Sequence, residues 1–251
     1  MPKLPVSGAD IALREPDGAD DMALHEAGGG PAALGLALLR RLVEDPGFDV
    51  AALAVTDFEF LLLHLRAQRL GPAMTLGFAC PHCRAMAEVS FLAADYAAGA
   101  TPKPAAGAAP DPARPGWFRL DGAGFRLPTA GDLAAADERG DPAQALADLC
   151  LEPTTRKRGR ARVERAMEAM APPLSRPVAG RCPACGAAVE AGFSVRGVVM
   201  AELKRAAGAV HEEVDMIARA YHWPEAAILA LPQRRRRAYA ERIRRALAKA
   251  A

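Results

Sequence analysis

The chain has five cysteines, Cys80, Cys83, Cys150, Cys182 and Cys185. Four of them form two Cys-Pro-X-Cys pairs, Cys80-Pro81-His82-Cys83 and Cys182-Pro183-Ala184-Cys185. A tight turn of this length lets two thiolates point at one ion. Two such turns supply the four ligands of a tetrahedral structural zinc site. The surroundings repeat as well. A gapless shift of 102 positions maps Cys80, Pro81, Cys83, Ala85, Glu88 and Phe91 onto Cys182, Pro183, Cys185, Ala187, Glu190 and Phe193. Both pairs therefore read as strand–knuckle–strand units of one design. Between Cys83 and Cys182 lie 98 residues, against the roughly 15–20 of a common zinc ribbon. Binding closes a long loop and fixes two distant parts of the chain together. Two sites, one per pair or shared between chains, remain an open arrangement. Redox dithiols would need a strand–helix context, whereas these pairs flank strands. Cys150 falls on an apolar helix face and reads as a buried core thiol.

The other chemistry-bearing residues form no pattern. His25 and His64 fall in helices. His82 sits inside the first knuckle, where it can hydrogen-bond near the sulfurs. His211 and His222 are eleven apart on one helix face without an accompanying carboxylate, which suits surface or capping roles. No nucleophile elbow, phosphate loop or paired-carboxylate signature occurs. Gly28-Gly29-Gly30 lacks the preceding strand and following Lys of a phosphate loop. Four thiolates leave no open position for water. The sequence thus predicts no catalytic residues and no small-molecule substrate.

Hydrophobic periodicity supplies the elements that must position the cysteines. A helix over 20–44 is interrupted at Gly28-Gly29-Gly30-Pro31, and its second piece carries Leu34, Leu38, Leu39 and Leu42 on one face. Thr56 and Glu59 read as a capping box that starts a helix through Phe58, Leu61, Leu62 and Leu65, apolar on more than one face. Strands over 74–79 and 88–92 enter and leave the first Cys pair. The Ala/Pro-rich segment 97–115 reads as a linker. A hairpin over Asp121-Gly122, helices capped at Thr129 or Asp132 and at Asp141, and a helix over 163–170 follow. Strands over 178–181 and 187–193 flank the second pair. A long helix over 195–221, a short one after Pro224 and an amphipathic one over 234–250, with Tyr239, Ile243 and Leu247 spaced at four, complete the chain.

Composition narrows the class. The 251 residues are 51% hydrophobic and 25% charged, a globular balance. Ala is 58 of 251, Asn is absent and Arg outnumbers Lys 27 to 5; this fits a GC-rich genome and weakens Ala as a helix signal. No apolar run reaches the roughly 18–20 residues of a membrane helix, and the start lacks a signal-peptide pattern. Together these predict a cytoplasmic chain in a bacterial host, with no membrane partner. The net charge of +2 hides an asymmetry. From Arg156 to Ala251 there are 20 Lys or Arg against 9 Asp or Glu, net +11, and the rest is net −9. A basic C-terminal half suits the acidic N-terminal half, an acidic protein partner, or nucleic acid.

Asp57-Phe58-Glu59-Phe60-Leu61-Leu62-Leu63, Leu65-Arg66, Gly71, a strand and Cys80-Pro81-His82-Cys83 resemble one known group. It is the T-even-type baseplate hub subunit or hub assembly chaperone family of contractile-tailed phages, with relatives in contractile injection systems and other phage-tail-like particles. Phe118-Arg119-Leu120, Phe125-Arg126-Leu127-Pro128-Thr129 and Asp132-Leu133 are similar to that group too. So are the run from His211 to Glu225, Ile228-Leu229-Ala230-Leu231-Pro232 and the arginines beyond. The resemblance spans about Val50 to Tyr239, and the second Cys pair departs from it. It implies a non-enzymatic assembly chaperone or structural component of a baseplate hub, with hub, spike or other tail proteins as partners. In that setting Tyr221, Trp223, Ile228, Leu229 and Tyr239 are candidate docking anchors; the alternative is that they pack the C-terminal helices on each other. The competing function is a zinc-ribbon nucleic-acid-binding protein, resting on Arg234 to Arg237 and the run Arg156 to Arg162. It lacks interleaved stacking aromatics.

The expected fold is α+β. A mostly helical body carries two small β zinc knuckles joined as one split zinc ribbon, and the C-terminal region is helical. The expected divisions are 1–96 with the first knuckle, the linker 97–115, 116–193 with the second knuckle, and 194–251.

Overall fold

The structure, a computed structural model, describes residues 1–157 and 159–250, with the side chains of 156, 157 and 250 left aside. Helices take up about half of the chain, and the strands form small antiparallel sheets. In chain order come α1 (Gly18–Glu26), α2 (Pro31–Leu42), α3 (Val55–Leu70), β1 (Ala73–Ala79), β2 (Met86–Leu92) and α4 (Ala93–Ala98). The middle holds β3 (Ala109–Pro110), β4 (Trp117–Leu120), β5 (Ala123–Arg126), α5 (Ala130–Asp137), α6 (Pro142–Cys150), α7 (Pro153–Lys157) and α8 (Arg160–Met170). Then follow β6 (Val178–Arg181), β7 (Ala188–Ala191), α9 (Val195–Ala207), α10 (Val210–Tyr221), α11 (Glu225–Leu229) and α12 (Gln233–Ala250). Among the described residues no helix is long and apolar enough to cross a membrane.

The main core is built from leucine stripes. Leu34, Leu38, Leu39 and Leu42 of α2 meet Phe58, Leu61, Leu62 and Leu65 of α3. Val195, Val199 and Leu203 of α9, at helical spacing, close over them. Gly35 makes the α2–α3 approach possible: a Cβ there would lie 2.8 Å from the Phe58 ring. As its pattern requires, α3 is buried on more than one face. A second, smaller core lies under the β4–β5 hairpin, where Leu120 and Phe125 meet Ala147, Leu151 and Val163. Thr129 and Asp132 cap α5 reciprocally, and Asp141 caps α6.

Tertiary contacts override three local expectations. Thr56 and Glu59 form no capping box; α3 begins at Val55 behind Ala54, without a side-chain cap. Thr56 instead donates to the Pro172 carbonyl at 3.0 Å. The buried Glu59 carboxylate accepts from the Ser175 hydroxyl (2.7 Å), the Ser175 N–H (3.0 Å) and Arg196 (2.9 Å). Both residues thus tie α3 to the segment leading into the second knuckle. The single helix expected over 195–221 is two helices, broken at Gly208-Ala209. Gly208 lies against the His25 ring, where a Cβ would stand 3.3 Å away. The break lets α9 face the core while α10 turns toward α12. The Pro-rich stretch 97–115 is no bare spacer. Ala97 and Ala100 are buried, the Lys103 N–H donates to Ala169, and β3 pairs with β4.

Charge complementarity between the chain halves is partly internal. The guanidinium of Arg236, almost wholly buried on α12, contacts Asp21 of α1 and Glu213 of α10, the latter at 3.0 Å. Arg69 of α3 contacts the same Asp21. Burial raises the Glu213 pKa above the usual carboxylate value, and Arg236 opposes that rise.

Candidate metal centre

The two knuckles share one local geometry. Each is a turn at the end of an antiparallel hairpin, β1–β2 and β6–β7. The register is the same in both: Ala79 faces Met86, and Arg181 faces Ala188. The Cys80 N–H donates to the Ala85 carbonyl and the Cys182 N–H to the Ala187 carbonyl, each at 2.9 Å. The Arg84 N–H returns to the Cys80 carbonyl and the Gly186 N–H to the Cys182 carbonyl, again at 2.9 Å. This last turn forces a left-handed backbone, with φ of 61° at Arg84 and 71° at Gly186. Glycine adopts it freely, whereas an L-residue is strained there.

The hairpins bring their tips together. The four sulfurs of Cys80, Cys83, Cys182 and Cys185 all lie within 4.8 Å of one another and can hold a metal ion. Cys80 and Cys185 are 3.9 Å apart, and Cys83 and Cys182 3.7 Å. A tetrahedral ion with metal–sulfur bonds of about 2.3 Å calls for sulfurs roughly 3.8 Å apart. The donor set therefore fits a tetrathiolate site in spacing. The first cysteine of each pair is buried and the second exposed. Beneath them, Ala87 and Val189, equivalent positions of the two hairpins, form a small apolar floor with Phe78 at its side.

Main-chain donors favour thiolates at the buried positions. N–H groups of Cys185 and Ala184 lower the Cys182 pKa to about 7. Those of Cys83 and His82 lower that of Cys80. At Cys83 the Ala85 N–H acts in the same direction. Desolvation and the neighbouring Cys185, Cys182 and Cys80 thiols outweigh it and push the value to about 11. A site that leaves some thiols protonated until an ion arrives releases protons on binding. His82 serves through its backbone; its exposed side chain is not among the clustered ligands.

The remaining sites of interest lie elsewhere. Cys150 is buried near Asp132, at 3.8 Å, and burial pushes its thiol to about 12. The rings of Tyr221, Trp223 and Tyr239 pack on one another, with centroids 5.2–5.6 Å apart, and stay partly exposed. Leu229 is partly buried, but Ile228 is fully buried and fills the interior. Ile228 thus has no surface to offer a partner in this conformation, because the α11 turn points it inward. His211 meets the His25 ring edge-on at 5.2 Å, and His222 is the left-handed C-cap of α10. Of the basic run over 156–162, Arg158 and the side chains of Arg156 and Lys157 lie outside the described residues. Arg160 pairs with Glu164 and Arg162 with Asp121. The reading of the sequence missed the buried Asp21–Arg236–Glu213 cluster. An arginine at 236 among four in a row gives no local sign of burial. The reading also missed the left-handed turn at Arg84, for which the 102-residue shift that sets Arg84 on Gly186 was the available signal.

No protein family matches the chain, and no curated protein or solved structure matches it.

Proposed function

We propose that this chain is a non-enzymatic assembly chaperone or structural component of the baseplate hub of a contractile phage tail or phage-tail-like particle, stapled by one structural zinc. The observation that carries the structural half of this reading is the convergence of four cysteine sulfurs from two knuckles 98 residues apart. Four thiolates at tetrahedral spacing suit zinc, and a closed tetrathiolate site has no position for substrate or water. The metal then orders a surface rather than performing chemistry. The baseplate assignment rests on the sequence resemblance from Val50 to Tyr239. The exposed parts of Tyr221, Trp223 and Tyr239 suit an aromatic anchor for a tail protein.

Two experiments test the halves separately. Native mass spectrometry is expected to find one zinc per chain, lost with chelator; a metal-free or catalytically competent metal-loaded protein overturns the staple. Deleting the gene from its host is expected to leave particles without a complete baseplate when imaged by electron microscopy. Intact contractile tails in the deletion strain overturn the baseplate assignment and leave the zinc staple standing.

A further inference from the structure

We propose that one face of α12 is a docking trough for an acidic segment of a partner protein, anchored at its inner end by Arg69 and Arg234. This surface is separate from the aromatic cluster and does not depend on the baseplate assignment. Two concavities, of about 730 Å³ and 560 Å³, follow one another along the helix and share Ala238 and Glu241. Arg234, Ala238, Arg242, Arg245 and Lys249 line them at helical spacing, on one face. The opposite face is occupied: Arg236 and Ala240 are buried against the body. The open face runs from Arg234 to Lys249, about 22 Å at 1.5 Å per residue.

The chemistry of the lining selects the occupant. Arg234, Arg242 and Lys249 have no carboxylate partner among the described residues, and Arg245 reaches only Glu241 of its own helix, at 3.6 Å. At the inner end Arg69 lines the larger cleft with its side chain only 5% exposed. One of its nitrogens contacts Asp21, while its buried Nη1 has no hydrogen-bond partner among the described residues. The Arg69 guanidinium is thus incompletely paired at the wall of the cleft, and a carboxylate entering here meets an under-neutralised positive charge. Ala238 and Ala246 are small enough to let a second backbone approach. Glu15 and Glu241 also line the trough. They would repel an evenly charged phosphate backbone, but an acidic peptide with an occasional Lys or Arg pairs with them. No aromatic ring lines either cavity for a base to stack on.

The test uses the 251-residue chain purified with zinc and fluorescence anisotropy. The probe is a fluorescein-labelled helical peptide of about 16 residues, long enough for the trough, with Glu at every fourth position in Ala. Its controls are a Lys-for-Glu version and a labelled DNA duplex of similar length. The expected result is salt-sensitive binding of the Glu peptide only, weakened about tenfold or more by Arg234→Glu, Arg242→Glu and Arg245→Glu together. A control triple, Arg40→Glu, Arg139→Glu and Arg219→Glu, all exposed, leaves affinity within about twofold if the effect is local. All the substitutions lie on exposed side chains, so unchanged thermal unfolding accompanies the loss. The proposal is overturned by no Glu-peptide binding at low salt, by equal loss in both triples, or by tighter binding of DNA. A dimer that the α12 triple dissociates also overturns it, because the trough then belongs to a second copy.

Discussion

Replacing Cys182 with Ser removes one of the two buried thiols of the cluster and tests the proposed zinc staple quantitatively. An ion that binds only the folded chain adds stability that grows with its free concentration, by about 1.4 kcal/mol per tenfold for one ion per chain. At a thousandfold excess over the dissociation constant the gain is about 4 kcal/mol. A second ion would double the slope. The structure also indicates where stability added by a bound ion would reside. Cys80, Cys182, Ala87 and Val189 form a cluster of their own, apart from the main leucine core. Phe91, Tyr96 and Phe193 hold the hairpin bases together independently, with ring centroids 5.0–5.4 Å apart. The Cys182→Ser chain is therefore expected to keep its helical core and lose order at the hairpin tips. The assay is chemical unfolding in buffers of fixed free zinc, with hydrogen exchange to locate the change. Wild type should show the one-ion slope and Cys182→Ser none, with exchange rising over 78–88 and 180–189. Equal stability of the two proteins at every zinc level, or a metal-independent wild type, refutes the reasoning.

Four further outcomes follow. Gly186→Ala should lower stability by about 1 kcal/mol, through the left-handed φ that Ala resists, whereas Arg84→Gly should be neutral or stabilising; paired unfolding curves check both. Arg236→Met leaves Asp21 with Arg69 alone and the buried Glu213 with only the half-exposed Arg237, and should cost about 3 kcal/mol, read from denaturant midpoints. In the folded chain burial acts to raise the Asp20 pKa, but hydrogen bonds from Arg14, the Asp17 N–H and Arg41 outweigh it and hold it below 3.8. A carboxylate with a depressed folded value stabilises above its unfolded pKa and loses that contribution as pH falls through the folded one. The stability gap between wild type and Asp20→Asn should thus narrow on acidification below that value, measured by unfolding across pH. Finally, iodoacetamide at neutral pH should leave Cys150 unmodified in the chelated native protein, while mass spectrometry finds the knuckle cysteines alkylated.

The cysteine site was legible in the sequence because its information is local. Each Cys-Pro-X-Cys turn is closed by its own backbone bonds, and the 102-residue shift exposed the repeat. The same holds for α2, the β4–β5 hairpin, and the caps at Thr129 and Asp141, where period and turn chemistry agree with the final structure. Where a residue had two possible partners, only tertiary structure decided. Thr56 and Glu59 carry the side chains of a capping box, yet a buried carboxylate gains more from Ser175 and Arg196, 116 and 137 residues away, than from a local backbone donor. The apolar stripe over 195–221 runs through Gly208, the local hint of a break, and only the tertiary structure shows its first half meeting α3 and its second meeting α12, with the His25 ring against Gly208. The four arginines from 234 to 237 look alike in sequence. Helical geometry turns Arg236 inward to Asp21 and Glu213 and leaves Arg234 exposed, because one face of α12 packs on the body while nothing among the described residues covers the other.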